Sequence, residues 1–489
     1  MFYRGRLPEA SPPKDCGHYE EDIENPPAGT YAQGVSINGS SVLKLPHLPP
    51  VLRVPAISLA LRVASSPTAS LSFFVLAVYA LKGRVQALQA LFLSWLFSML
   101  SPLIAPVAPL ASLGRYAVLL AALASVVVHK PEGENSGNSK SIVQLTLLLG
   151  TLIAVHSVAF SAVPDVSILK AISWTMAMAV LFSAWSGLSA QQHALMTEQL
   201  FGGVSLVLFT SVPLLFFQAG YLANVGFQGI LGQSQALGIV MALLATWSTL
   251  RMLRSVRPSW QLVFINFMSI VMVFLSSART AALALLGGVG LSVLLAPLFS
   301  NVNVGNPLIG LRSQRVRLIY GVAIATGLLA LPLLADKVSS FINKGSGATS
   351  VVEAYERSRG GLMNRMLDNI SEHPIEGIGF GIASTPAEMI VERDPVFGLP
   401  TSATVEKGVF PIAVVEEVGI VGTVFFVFWL WLMVRRCFRR GTEAFAVATV
   451  ILLLNMGEAT FFSVSGVGLL PMVLFAWAAT SRMAPGSEA

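Results

Sequence analysis

The sequence predicts an all-α polytopic membrane protein, with about 12 to 14 transmembrane helices and one large periplasmic loop carrying short amphipathic helices. Three observations predict it. Of the 489 residues, 54% are hydrophobic and only 11% are charged, less than half the ~25% charged fraction of an average soluble chain. The apolar residues come in runs of about 20, the length that crosses a bilayer, and these runs lack the polar face of a soluble helix. Lys and Arg gather in short clusters between runs, so the formal net charge of +6 reads as membrane topology and not as a nucleic-acid surface.

Taken in order, residues 1–50 are rich in Pro, Gly, Ser and charge and are expected to form a disordered polar tail. No apolar signal-peptide core stands near the start, so insertion is left to the spans themselves. Transmembrane helices are expected within 51–335. The spans lie near 66–81, 87–105, 113–129, 142–162, 168–188, 199–217, 233–250, 260–277, 280–299 and 317–335, with a short apolar piece, "VPAISLALRV", before them at 54–63. A large loop, 336–408, follows. Further spans near 409–433, 443–459 and 465–481 make up the C-terminal transmembrane region 409–481, and 482–489 is a short tail.

Four basic clusters set the orientation: Lys82 and Arg84; Arg251, Arg254 and Arg257; Arg312, Arg315 and Arg317; and Arg435, Arg436, Arg439 and Arg440. All fall on one side of this threading, which makes that side cytoplasmic. The connection 218–232, the corner at Arg279 and the loop 336–408 then face outward. One span before Lys82 would leave the tail outside, whereas pairing with 54–63 would return it to the cytoplasm.

The loop of about 70 residues is far longer than ordinary connections, and such loops commonly carry function. In "EAYERSRGGLMNRMLDNISEHP", Leu362, Met366 and Ile370 recur every fourth residue, which predicts an amphipathic helix ended by Pro374. "GIGFG" at 377–381 then reads as a turn of close backbone approach.

Arg279 stands between two apolar runs in "FLSSARTAALALL". Beside a membrane an arginine is costly unless it snorkels to the interface or meets an anion. The outer loop adds Arg357, Arg359, Arg365 and Lys407, a set suited to phosphate oxygens because the guanidinium fork binds them in pairs. Glu353, Glu356, Glu372, Glu376 and Glu406 share the loop, so mutual salt bridges are the structural alternative. His373 is the loop histidine, and His156 within a span suits a structural role. Cys16 and Cys437 are the only cysteines, and no HExxH, CxxC, Walker or GxSxG pattern occurs. Metal, nucleotide and serine-nucleophile chemistry therefore have no sequence support, and neither a metal nor another cofactor is expected.

Four stretches, in order, resemble the bacterial O-antigen ligase and O-antigen polymerase superfamily of integral membrane glycosyltransferases. They are "GFQGILGQSQALGIVMALL" (226–244), "SSARTAALALLGG" (276–288), "RGGLMNRMLDNISEHPIEGIGFG" (359–381) and "EKGVFPIAVVEEVGIVG" (406–422). Gln233, Ser234 and Gln235 stand where the family has His-Pro-Asn. Arg279 falls on the family's arginine, Arg359 on its loop arginine and Glu417 on its acidic position. A histidine that many members carry before the last outer-loop span is here Gly408, flanked by Lys407.

The resemblance implies an inverting, metal-independent transfer at the periplasmic face of a bacterial inner membrane. The donor would be a glycan on undecaprenyl pyrophosphate, and the acceptor another glycan or a lipid A-core sugar. Arg279, Arg359 and Arg365 would bind the pyrophosphate, with Glu406 as base, Lys407 as electrostatic group, and Gln233, Gln235, His373 and Glu417 as substrate-site candidates. Partners would be the bilayer and other polysaccharide assembly proteins. Polymerase and ligase stay open as alternatives. So do a flippase or other transporter of lipid-linked sugar and a non-enzymatic assembly component, both compatible with hydrophobicity alone.

Overall fold

The structure is a computed structural model that describes residues 50–132, 136–221, 226–299, 309–322, 325, 360–393, 398, 400–403, 405 and 407–481. Residues 1–49 of the expected polar tail 1–50, the start of the long loop through Arg359, most of the span 317–335 and the tail 482–489 lie outside the described residues.

The described chain is a helical bundle. Its helices are α1 (Pro50–Ala64), α2 (Ser66–Ala80), α3 (Arg84–Met99), α4 (Ala111–Val128), α5 (Ser136–Phe160), α6 (Pro164–Ser186), α7 (Ala190–Ser211), α8 (Ser234–Arg254), α9 (Trp260–Leu275) and α10 (Arg279–Phe299). They continue with α11 (Gly361–Glu372), α12 (Phe410–Arg439), α13 (Thr442–Leu454) and α14 (Leu469–Thr480). Among the described residues the strands are β1 (Val391–Arg393) and β2 (Pro400–Ala403), an antiparallel pair in the loop region.

Among the described residues six segments are long and apolar enough to cross a membrane: Ala111–Val128, Lys140–Phe160, Pro164–Ser186, Ala190–Phe216, Ser234–Arg254 and Phe410–Arg439. Shorter apolar helices flank them, Ser66–Ala80 and Trp260–Leu275 included. The chain is an all-α, multi-pass membrane protein. Its outer surface agrees: Val78, Leu120, Val127, Leu148, Leu283, Leu286, Leu294 and Val424 are all exposed. In water so broad an apolar surface would be a liability, but it is what lipid requires.

Local signals place the helix ends. Ser65 and Ser189 each close a capping box at the starts of α2 and α7, and Ser259 accepts from Leu262 N at the start of α9. The expected span 87–105 stops at Met99, because Leu100 is extended, pairs with Leu231, and is followed by Pro102. α1 packs against α2 across Ser65, so the short piece 54–63 does pair with the first expected span.

α1 to α4 pack as one group, and α8, α9, α10 and α13 as another. α14 lies against α3, α6, α12 and α13 and joins the two. α8 is almost wholly buried along its length.

The two ends of the bundle differ in chemistry. At one end Arg84 donates to the carbonyls of His129, Ser183 and Val126. There too Arg251 pairs with Glu198 at 2.8 Å and with Glu443 at 3.3 Å, and Arg315 donates to the Pro258 carbonyl. This basic end gathers the starts of α3 and α7 with the ends of α4, α6 and α8. The opposite, loop end carries the start of α8, the α9–α10 corner, residues 377–381 and the start of α12.

If the bundle spans the membrane, its two ends must lie on opposite sides. In a Cys16→Ser background, with Cys437 buried, a cysteine replacing exposed Ala387 at the loop end and one replacing exposed Arg257 at the basic end should be labelled by an impermeant thiol reagent from opposite faces of the membrane. Labelling of both from the same face would contradict the traverse.

Candidate functional site

The loop end is organised around a break in α12. Gly419 has φ 63° and ψ −177° inside an otherwise helical segment. That conformation is open to glycine, and a Cβ at this position would collide with the Ile375 carbonyl. The break frees backbone groups that a continuous helix would pair internally, and buried groups of this kind need partners. Residues 374–379 supply them: Ile378 N donates to Glu416 O at 2.9 Å, Gly379 N to Glu417 O at 3.0 Å, and Ile420 N to Pro374 O at 2.9 Å. Gly377, also at positive φ, lies so close that a Cβ there would stand 2.6 Å from Gly419 N. The "GIGFG" turn is thus a fixed insertion into a broken helix.

Phe380, the aromatic residue of that turn, is fully buried. Its ring lies 4.6 Å from that of Phe462 and 6.2 Å from Trp174, within a pile that includes Phe410, Phe426, Trp429 and Phe461. The Trp174 indole donates to the Phe461 carbonyl at 3.1 Å.

Beside the break lies a buried charge cluster. Lys407 Nζ stands 2.7 Å from Glu416 Oε2 and 3.2 Å from Glu417 Oε1. The second oxygen of Glu416 accepts from Asn369 Nδ2 at 2.7 Å, and that of Glu417 from Gly381 N at 2.7 Å. Every carboxylate oxygen of the pair therefore has a donor. Lys170 Nζ donates to the Gly381 carbonyl at 2.7 Å, which brings a second ammonium to the same turn. Desolvating such charges is costly, and their attraction offsets the cost only when hydrogen bonds complete the set, as they do here. With both carboxylates on it, the Lys407 ammonium acts first as a clamp between the chain entering α12 and the helix itself.

The α9–α10 corner lies at the same end. Ser277 adopts φ 57°, uncommon for a residue with a side chain, and turns the chain so that Arg279 opens α10 half-buried. Phe227 N donates to Leu275 O at 2.9 Å, and Gly226 packs on the Ser276 carbonyl, so residues 226–231 brace the corner. Gly457 abuts Thr280, while Ala459 N donates to Lys407 O at 3.2 Å and Phe410 N to Asn455 O at 3.0 Å. Residues 455–459 thus lie between the arginine corner and the lysine cluster.

The other candidates fall as follows. Gln233 and Gln235 are exposed at the start of α8. Arg365, on the exposed side of α11, donates to Thr385 Oγ1 at 3.2 Å and lies 3.9 Å from Glu388. Met366 on the same helix is buried, as the four-residue spacing requires. His373 Nδ1 lies 3.0 Å from Glu376 Oε1, and this hydrogen bond holds the Glu376 carboxyl below its ordinary range. His156 is bonded through Nε2 to the Glu376 carbonyl. Arg359 and Glu406 lie outside the described residues. Lys407 and Glu417, both named from the sequence, are in direct contact.

Sequence reasoning missed Glu416, Lys170, Asn369 and Gln228. Charges inside apolar runs, "VVEEVG" and "ILKAIS", were the available signal for the first two. Gln228 is fully buried beside the arginine corner, and neither end of its amide has a partner among the described residues. No group of His, Cys, Asp and Glu among the described residues is arranged to hold a metal. Compared with known proteins, the chain matches no family model, no curated protein and no solved structure.

Two substitutions test the interlock by the thermal unfolding of the purified protein. Gly419→Ala should destabilise it by about 2 kcal/mol or more, since both the backbone conformation and the packed Ile375 carbonyl oppose a side chain. Lys407→Met should cost about 3–5 kcal/mol by leaving two buried carboxylates uncompensated, and adding Glu416→Gln with Glu417→Gln should restore part of the loss. Unchanged midpoints would show that the cluster holds nothing.

Proposed function

We propose that the chain is a membrane glycosyltransferase that polymerises or transfers undecaprenyl-pyrophosphate-linked glycans at the periplasmic face of a bacterial inner membrane, in the synthesis of O-antigen, capsule or exopolysaccharide. One observation carries this reading. The four stretches that resemble the glycosyltransferase superfamily, separated by up to about 200 residues, converge at the loop end in two interlocked pairs. Residues 226–231 brace the Arg279 corner, and residues 374–381 fill the break in α12 beside Glu416 and Glu417.

In this reading an acceptor hydroxyl oxygen attacks the anomeric carbon of the donor. The bond from that carbon to the pyrophosphate oxygen breaks with inversion, and undecaprenyl pyrophosphate leaves with the electron pair. Negative charge grows on the departing oxygen. A guanidinium held at the membrane edge stabilises it more in the transition state than in the ground state. In this reading Arg279 would take that role, and Arg359 and Arg365 are the further loop arginines read from the sequence. Lys407 is committed to its two carboxylates and acts by positioning.

For the hydroxyl proton, Glu406 is the candidate read from the sequence, and His373 is a second. Glu376 on Nδ1 fixes the His373 ring and leaves Nε2 as the basic atom when the imidazole is neutral.

A transporter is the competing reading, because broken membrane helices are a transporter device in which freed carbonyls coordinate ions. Here the freed carbonyls of Glu416 and Glu417 already accept from Ile378 and Gly379. That favours an enzyme with a rigid loop over an ion-coupled carrier.

Arg279→Ala should lower glycan transfer about 100-fold or more while the protein remains inserted and abundant. Arg279→Lys should recover little, since a point charge replaces a bidentate fork. Normal polymer from both variants would make Arg279 an interfacial anchor and remove the site. His373→Gln should abolish the acidic limb of the pH–rate profile if His373 is the base; a retained limb that disappears in Glu406→Gln would transfer the role to Glu406.

A further inference from the structure

A second basic site lies among α1 to α4, and none of the residues assigned to glycan transfer line it. Phe73, Phe97, Ser98, Leu100, Pro102 and Val107, with two arginines, line a cavity of about 210 Å³ there. The arginines are Arg62, near the end of α1, and Arg115, near the start of α4. Arg62 is only 6% exposed. Its Nε donates to the Phe97 carbonyl at 3.0 Å and its Nη1 to the Pro106 carbonyl at 2.6 Å. A guanidinium carries five N–H donors, so these two bonds leave Nη2 without an acceptor among the described residues. Arg115 Nη2 bonds to Ser112 Oγ at 3.1 Å on its own helix. Neither arginine forms an ion pair with a carboxylate among the described residues.

Two guanidinium groups facing one cavity repel each other, and one of them is buried. Such an arrangement is unfavourable until an anion enters. The cavity is smaller than the ~300 Å³ at which pockets for whole drug-sized ligands begin, so it suits a compact anionic group. Its rim is apolar: Pro102 and Val107 are exposed, with exposed Leu103 and Leu110 beside them. An anion carried on an acyl chain would place its charge between the arginines and its tail along that rim.

We propose that this cavity binds the phosphate of an anionic phospholipid at the loop end of the bundle. Planar forks match phosphate oxygens, and the carbonyl bonds of Arg62 set its fork in place before the ligand arrives. The site uses none of the residues assigned to glycan transfer, so its failure would leave that reading untouched.

The test is the unfolding midpoint of the purified full-length protein in detergent, titrated with dioctanoyl phosphatidylglycerol, with uncharged dioctanoylglycerol and with inorganic phosphate. Phosphatidylglycerol should raise the midpoint saturably, and Arg115→Gln should weaken the apparent affinity roughly 10-fold or more. Among the described residues Arg115 holds only Ser112, so this variant should fold. Arg115→Lys should fall between the two, and Arg257→Gln at the basic end should respond as the unsubstituted protein does. An equal response in Arg115→Gln, or an equal loss in Arg257→Gln, would overturn the site. A comparable shift with dioctanoylglycerol would reduce it to an apolar surface. A comparable shift with inorganic phosphate would overturn the lipid in favour of a free anion.

Discussion

The loop end depends on the insertion of residues 374–381 into the break of α12 at Gly419. In a bilayer the hydrophobic effect does not draw helices together, because lipid tails solvate leucine as well as another helix does. Specificity then falls to polar contacts and close packing. The interlock provides both, with three backbone hydrogen bonds across the break and a buried cluster of Lys407, Glu416, Glu417, Asn369 and Lys170 around Gly381. Phe380 drives the same turn into an aromatic pile shared with α6 and α12. Residues 374–381 are thereby part of the bundle.

That rigidity is what a charge-stabilising site needs. Preorganised groups act on a transition state only when they do not have to be reoriented as charge develops. Arg279 is held at a corner strained at Ser277 and braced by residues 226–231, and residues 455–459 connect it to the Lys407 cluster. The arginine corner and the ionic lock are thus neighbouring parts of one end of the bundle, while the basic clusters occupy the other.

Much of the fold was legible in the sequence because membrane spans declare themselves by composition. The helices Ser66–Ala80, Trp260–Leu275 and Phe410–Arg439 follow the expected runs, and the Leu362, Met366, Ile370 spacing matches α11. The break in α12 was not legible, since a lone glycine in an apolar run also occurs in intact helices and its φ depends on chain 42 residues earlier, at Gly377. The partners of Lys407 were hidden for the same reason. Read locally, Lys407 resembles a free cation. Only the return of the α12 helix past it brings two carboxylates within reach. Arg62 and Arg115 were not legible as a pair, because each alone looks like a helix-end arginine and only folding brings them to one cavity.

The central claim is that this end of the bundle moves a glycan from a lipid pyrophosphate to a hydroxyl. The most direct measurement uses the purified protein in vesicles loaded with an undecaprenyl-pyrophosphate-linked oligosaccharide and a matching acceptor, following glycan length and free undecaprenyl pyrophosphate together. The account predicts that lengthened or transferred glycan and released undecaprenyl pyrophosphate appear in equal amounts. Movement of the intact donor across the bilayer, with no undecaprenyl pyrophosphate released, would contradict it and make the protein a carrier.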